Sequence, residues 1–184
     1  MQVIAMHARK RSPAAFGAGV GIAMLTASAV SAAPSPAGEW MVAKGEAIIR
    51  IVDCGGQYWG LVAWEQKPGG VDSKNPNSAL RSRSTLGMPI LLGMSPRTGA
   101  QATWNGQIYN SENGRTYDGR ISLIAPDNLR VEGCVLGFLC GGEDWHRVSG
   151  TTAMAASGKP KAGVTAAVAK EPPARVCSEV LRRH

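Results

Sequence analysis

Few side chains in this chain have the type and spacing that bond-making chemistry requires. Between residues 38 and 148 the single imidazole is His146, set between Trp145 and Arg147. A serine or cysteine nucleophile needs a base within hydrogen-bond reach that is itself oriented by a third group, and one histidine in this company supplies no triad. Glu65 with Asp72, or Glu143 with Asp144, could form a carboxylate pair for general acid and base work. Nothing in the spacing fixes their separation, and charged residues beside turns are ordinarily solvated. The glycine pairs Gly55-Gly56, Gly69-Gly70 and Gly141-Gly142 are followed by no helix with free amides, so they read as turns rather than phosphate loops. No catalytic residue is assigned, and an enzyme is not expected.

The cysteines point to cross-links. Cys54, Cys134, Cys140 and Cys177 show no C-x-x-C spacing, so neither a metal site nor another cofactor is expected. In an oxidising compartment four cysteines imply bridges. Cys134 and Cys140 enclose the segment VLGFL, which can turn at Leu136-Gly137, and closing so short a loop stabilises by roughly 2–3 kcal/mol. Cys54 and Cys177 have no local partner. They pair with each other, tying the tail to the folded part, or one of them stays a free thiol.

Binding is a better use of the remaining side chains than catalysis. Trp64, Tyr109 and Tyr117 could line a ligand cavity, with Arg81 or Arg83 meeting an anionic head group. The plainer reading makes the aromatic rings core and the arginines part of a solvated loop.

These residues are positioned by short alternating apolar and polar runs, each closed by glycine, asparagine or proline, over residues 38–148. Period-two patterning with turns every ten residues or so is the signature of an antiparallel meander. Closing the meander removes its aggregation-prone edges. The fold expected is all-β, a single up-and-down antiparallel barrel of seven or eight strands. The runs are 38–42, 47–52, 58–65, 86–94, 103–109, 116–124, 129–135 and 143–148, with Trp40 in the first. Pro89 argues for an edge or a bulge, and Asn113-Gly114 is the strongest hairpin signal. The long connection 66–84 contains Asn75-Pro76, whose proline fixes its own φ and restricts Asn75 to extended backbone. Inward candidates are Trp40, Ile49, Ile51, Val62, Trp64, Ile108, Ile121, Leu123 and Val131, bulky enough to fill most of the interior. The VLGFL loop is expected to be buried, closing the barrel, rather than exposed through Leu136, Phe138 and Leu139.

Charge and terminal segments set the location. The net charge is +7, yet the barrel segment carries 11 basic and 11 acidic residues, and a neutral domain lacks the footprint of a nucleic-acid binder. Arg9, Lys10 and Arg11, the apolar residues 14–30 and the small Ser31-Ala32-Ala33 have the form of a secretory signal, with cleavage expected after Ala32. The apolar stretch falls short of the ~20 residues of a spanning helix, so the processed chain is not expected to be an integral membrane protein. Residues 150–184 form a basic, low-complexity tail that cannot bury enough apolar surface to fold alone. The region near 176–183 is its one weakly helical stretch. The tail is the part able to touch anionic envelope surfaces, a solvated end being the plainer reading.

Two sets of residues resemble known families. Gly38-x-Trp40 with the late Arg147 is similar to the calycin arrangement of lipocalins, which implies structural roles for both: a tryptophan opening the first strand packs at the closed end of the barrel, under an arginine from the last. The longer series GEW, IIRI, CGG with GLVAW, Asp72 with Asn75-Pro76, Leu86-Gly87, WNGQIYN with NGRTY, LRVEGCVLG and DWHRV resembles the secreted bacterial proteins of domain of unknown function 2147 (DUF2147). The resemblance spans residues 38–148 and implies a lipocalin-like barrel and a periplasmic or secreted location, with no established activity. Trp59 stands where relatives often carry a second cysteine, which leaves the partner of Cys54 open.

The organisation expected is a signal peptide over 1–32, a barrel domain over 33–149 and a tail over 150–184. The leading functional reading is a non-catalytic envelope module for a small apolar or amphipathic ligand. The alternative is a structural or protein-interaction module with a filled barrel, acting through its loops and tail.

Overall fold

A computed structural model describes residues 33–100, 102–136, 138–148 and 173–183. Eight antiparallel strands close into a barrel in sequence order: β1 Gly38–Met41, β2 Ala47–Asp53, β3 Tyr58–Glu65, β4 Pro89–Pro96, β5 Thr103–Asn110, β6 Arg115–Ala125, β7 Asn128–Val135 and β8 Leu139–Arg147. Pro89 opens β4, a position where its missing N–H costs the ladder nothing. Closure runs through two β1–β8 pairs, Trp40 with Arg147 and Met41 with His146. The up-and-down order puts the β1–β2, β3–β4, β5–β6 and β7–β8 connections at one end, here called the upper. The other end carries the remaining turns and the approach to β1.

Alternation along the strands builds the core. Trp40, Ile49, Ile51, Val62, Leu91, Met94, Trp104, Ile121, Leu129, Val131 and Trp145 form one buried cluster, with Ile108 and Leu123 packed against it. Close packing here depends on missing side chains: a Cβ at Gly119 would collide with Ile108 and one at Gly60 with Leu91.

The end of the tail, expected to be at most weakly helical near 176–183, forms a full helix. An α-helix, α1 at Pro173–Arg183, lays Val176 and Val180 on the outer wall, where they form a second buried cluster with Val52 and Trp59. The Cys54–Cys177 disulfide, 123 residues apart in sequence, anchors it. A segment too poor in apolar residues to fold alone is thus held by a cross-link and two valines spaced one turn apart. The expected signal, residues 1–32, and the tail stretch 149–172 lie outside the described residues.

Candidate functional site

The interior is filled below and hollow above. A cavity of about 420 Å3 opens at the upper end, within the range of small-molecule sites. Its apolar wall comes from Ile49, Val62, Ile108 and Trp145, and its polar lining from Lys44, Glu46, Glu65, Thr85, Glu112 and Glu143. Glu143 is held by Trp145, whose Nε1 donates to Oε1 at 2.5 Å. The Glu65 Oε2 and Thr85 Oγ1 atoms are shut off from solvent without a hydrogen-bond partner. A buried polar atom left unpaired costs about 1–3 kcal/mol, so these two are the atoms a ligand would gain most from meeting.

A β-bulge decides which side chain of β3 reaches this cavity. Ile49 pairs with Val62, but Ile48 pairs with Trp64, so Ala63 is extra. One added residue reverses every later side chain. Trp64, expected inward, shares the outer face of Ile48, and Glu65 takes the inward place beside Ala47.

The expected ligand arginines are also committed elsewhere. Arg83 lies against the fully buried Asp72, with Nη2 at 2.8 Å from Oδ2, and Arg81 Nε donates to the Asn75 carbonyl at 2.9 Å. Neither is among the residues lining the barrel cavity, while Arg83 lines a concavity outside the wall. Tyr109 does line the cavity, while its hydroxyl donates to Asp72 Oδ1 at 2.7 Å. The Tyr117 hydroxyl accepts from Asn113 Nδ2 at 2.9 Å within its own hairpin, and the residue is absent from the lining.

Asp72, Asn75, Arg83 and Tyr109 form a buried polar cluster that the long connection builds against β5. Asn75 Nδ2 donates to Asp72 Oδ2 at 2.7 Å and to the Tyr109 hydroxyl at 3.1 Å. Burial pushes the Asp72 carboxyl up, but hydrogen bonds from Tyr109, Asn75 and Arg83, with the Arg83 charge, outweigh it and hold the group below its ordinary 3.8. Tyr109 moves the other way: burial, then its bond to Asp72 and the carboxylate charge, raise it above 10. The cluster fixes the wall of the cavity rather than offering a free reactive group. Its only sequence signal was Asp72 and Asn75-Pro76 within one loop, which says nothing of the distant Tyr109.

At the lower end Trp40 and Arg147 meet. The Arg147 guanidinium stacks on the Trp40 ring and donates to the carbonyls of Ser35, Ala37 and Pro126, and Trp40 Nε1 donates to the Pro36 carbonyl.

The hairpin between β7 and β8 differs from expectation. Cys134 and Cys140 face each other across it and are bonded, but its tip is exposed: Val135 by 48%, Leu136 by 79%, Phe138 by 72% and Leu139 by 61%. The register explains why. The last β6 pair on this side is Asp118 with Cys134, and the last β1 pair is Met41 with His146. The hairpin therefore runs on beyond the end of β1 and parts from β6, whose residues Arg115 to Tyr117 stay paired with β5 alone, so neither neighbour covers its tip.

A second concavity of about 710 Å3 lies outside the wall, between α1 and the long connection, with Leu61, Leu80, Leu86, Val176 and Val180 among its lining. Neither Glu65 nor Thr85 belongs to it, so the interior cavity is the stronger candidate. Among the described residues no group of three His, Cys, Asp or Glu side chains could hold a metal ion, and no helix is long and apolar enough to cross a membrane.

The fold is similar to that of a solved protein, HP1028 from Helicobacter pylori, described as belonging to the lipocalin family. The TM-score is 0.60 at 17% identity, covering 74% of this chain and 99% of that one. At that identity the likeness concerns the fold alone. No curated protein matches the chain. Residues 38–147 match the family described as "Uncharacterized protein conserved in bacteria (DUF2147)", and with well over half its length so matched the chain belongs to that family.

Proposed function

We propose that the protein is a non-catalytic binding module of the bacterial envelope whose upper cavity holds one small amphipathic ligand. The observation that carries this reading is the cavity itself, with its apolar wall continuous with the core and a polar lining near the mouth. The apolar part of a ligand would lie against Ile49, Val62, Ile108 and Trp145. Four carboxylates against the single Lys44 make the lining acidic, and the unpaired Glu65 oxygen calls for a donor. The head group that suits this lining is a cation, such as an amine. Two disulfides support an oxidising location.

The test pairs native mass spectrometry of protein purified from its own envelope with titration of octylammonium, octanoate and octyl glucoside. A stoichiometric adduct removed by denaturation, and ammonium binding at least tenfold tighter than carboxylate, are expected. Failure of all three probes, with no adduct, would sink the binding reading. Equal affinity for ammonium and carboxylate would leave a binding module and remove only the cationic preference.

A further inference from the structure

The β7–β8 hairpin carries the inward face of the barrel past its rim. Leu129, Val131 and Trp145 are buried inside, and two-residue alternation places Gly133 with Gly141 and then Val135 with Leu139 on the same face. There the face is exposed, Val135 by 48% and Leu139 by 61%. Leu136, with φ of 55°, occupies the left-handed region that a bulky residue seldom adopts, and with Phe138 it forms the exposed end. The disulfide joins the two strands directly beneath, so the apolar tip is presented on a braced stem.

Size selects the kind of surface this tip fits. Four side chains at these exposures offer on the order of 500 Å2, below the roughly 800 Å2 each partner contributes to a specific protein interface. They also sit at the end of a single two-stranded hairpin, whereas stable protein contacts are broad patches ringed by polar groups. Insertion into a lipid interface asks for neither: it needs a few apolar side chains at a tip, with the backbone polar groups satisfied nearby. Cross-strand pairing down the hairpin to Val135 and Leu139 meets that second need.

We infer that the disulfide-braced tip formed by Val135, Leu136, Phe138 and Leu139 is a lipid-docking element that sets the upper end of the barrel, with its cavity mouth, against a membrane surface. The contact is apolar, so it does not depend on lipid charge. It stands on the exposed hairpin alone and holds whether or not the cavity carries a ligand.

The experiment is flotation of the processed chain, purified from its own host, with phosphatidylcholine vesicles and with vesicles containing phosphatidylglycerol, at low and high salt. The Leu136→Ser/Phe138→Ser variant is run beside it, with circular dichroism and the intact disulfide mass establishing its fold. Co-flotation with the neutral vesicles at both salt concentrations, reduced at least tenfold in the variant, is the expected result. Three results would overturn the inference: no flotation with neutral vesicles, flotation confined to anionic vesicles and abolished by salt, or equal flotation of the variant. The second would identify the basic tail as the contact. Concentration-dependent dimerisation lost in the variant, without flotation, would make a second copy of the chain the occupant.

Discussion

The Arg147 guanidinium carbon lies 4.1 Å from the centre of the Trp40 ring, joining the last strand to the first at the lower end of the barrel. The same two residues are paired across the short β1–β8 seam, where only two register pairs complete the closure. Gly38 permits this approach, because a Cβ there would collide with the Arg147 Nη1 atom and its φ of 134° excludes most side chains.

Arg147→Ala should therefore cost about 3 kcal/mol. It removes a cation–π contact worth about 1–2 kcal/mol and leaves the carbonyls of Ser35, Ala37 and Pro126 without their charged donor. Arg147→Lys keeps the charge but not the fork that reaches three acceptors, so it should recover less than half of the loss. Urea unfolding of the three proteins measures this. Equal midpoints for wild type and the alanine variant would show that the seam does not depend on the arginine.

The Asp72 cluster makes stability depend on pH at both extremes. The folded carboxyl titrates below the unfolded value, so its contribution is present above about pH 4 and is lost as pH falls through the folded value. Tyr109 titrates above its unfolded value, so its contribution is complete below about pH 10 and disappears as pH rises further. Asp72→Asn should destabilise by about 2–3 kcal/mol at neutral pH, since it takes the anion from Arg83 and turns a donor toward other donors. It should also flatten the acid limb of the stability profile. An acid limb of unchanged steepness in thermal melts from pH 2 to 7 would assign that limb to other carboxylates.

Reduction should free the C-terminal helix without opening the barrel. The helix contributes Val176 and Val180 to a cluster over Val52 and Trp59, and Cys54–Cys177 closes a loop of over a hundred residues, worth about 2–4 kcal/mol. Cys177→Ser should shift the Trp59 fluorescence toward that of a water-exposed ring and speed hydrogen exchange in residues 173–183. Exchange elsewhere in the strands should change little. Protection lost equally from β5 to β8 would show instead that the helix and barrel unfold as one unit.

The barrel was legible because all eight of its strands read as alternating or apolar runs separated by turn residues, and alternation is a local property. What escaped were features set by pairing between distant strands. Trp64 and Glu65 are one residue apart, and only the register against Ile48 and Ala47 shows that the bulge exchanges their faces. The bond from Tyr109 to Asp72 spans 37 residues, a distance at which residue spacing carries no geometric information. The hairpin tip was misread as buried because apolar composition specifies what would gain from burial. Whether a neighbour exists to bury it depends on where β1 ends and where the pairing with β6 ends.

Filling the cavity provides the most direct test of its use. Ala47 begins β2 on the inward face opposite Glu65 and lines the hollow, so a larger side chain there enters free space instead of the packed cluster below. Ala47→Trp should occupy much of the 420 Å3 while shifting stability by no more than about 1 kcal/mol, far below the cost of truncating a core residue such as Ile49. Octylammonium affinity should fall at least tenfold. Glu65→Gln should leave the apolar contribution intact and reduce only the preference for ammonium over glucoside. Comparing the two variants separates the roles of space and charge: retained binding in Ala47→Trp would place the ligand outside the barrel, in the cleft beside the C-terminal helix, where the same probe should then protect Leu80 and Val180 from hydrogen exchange.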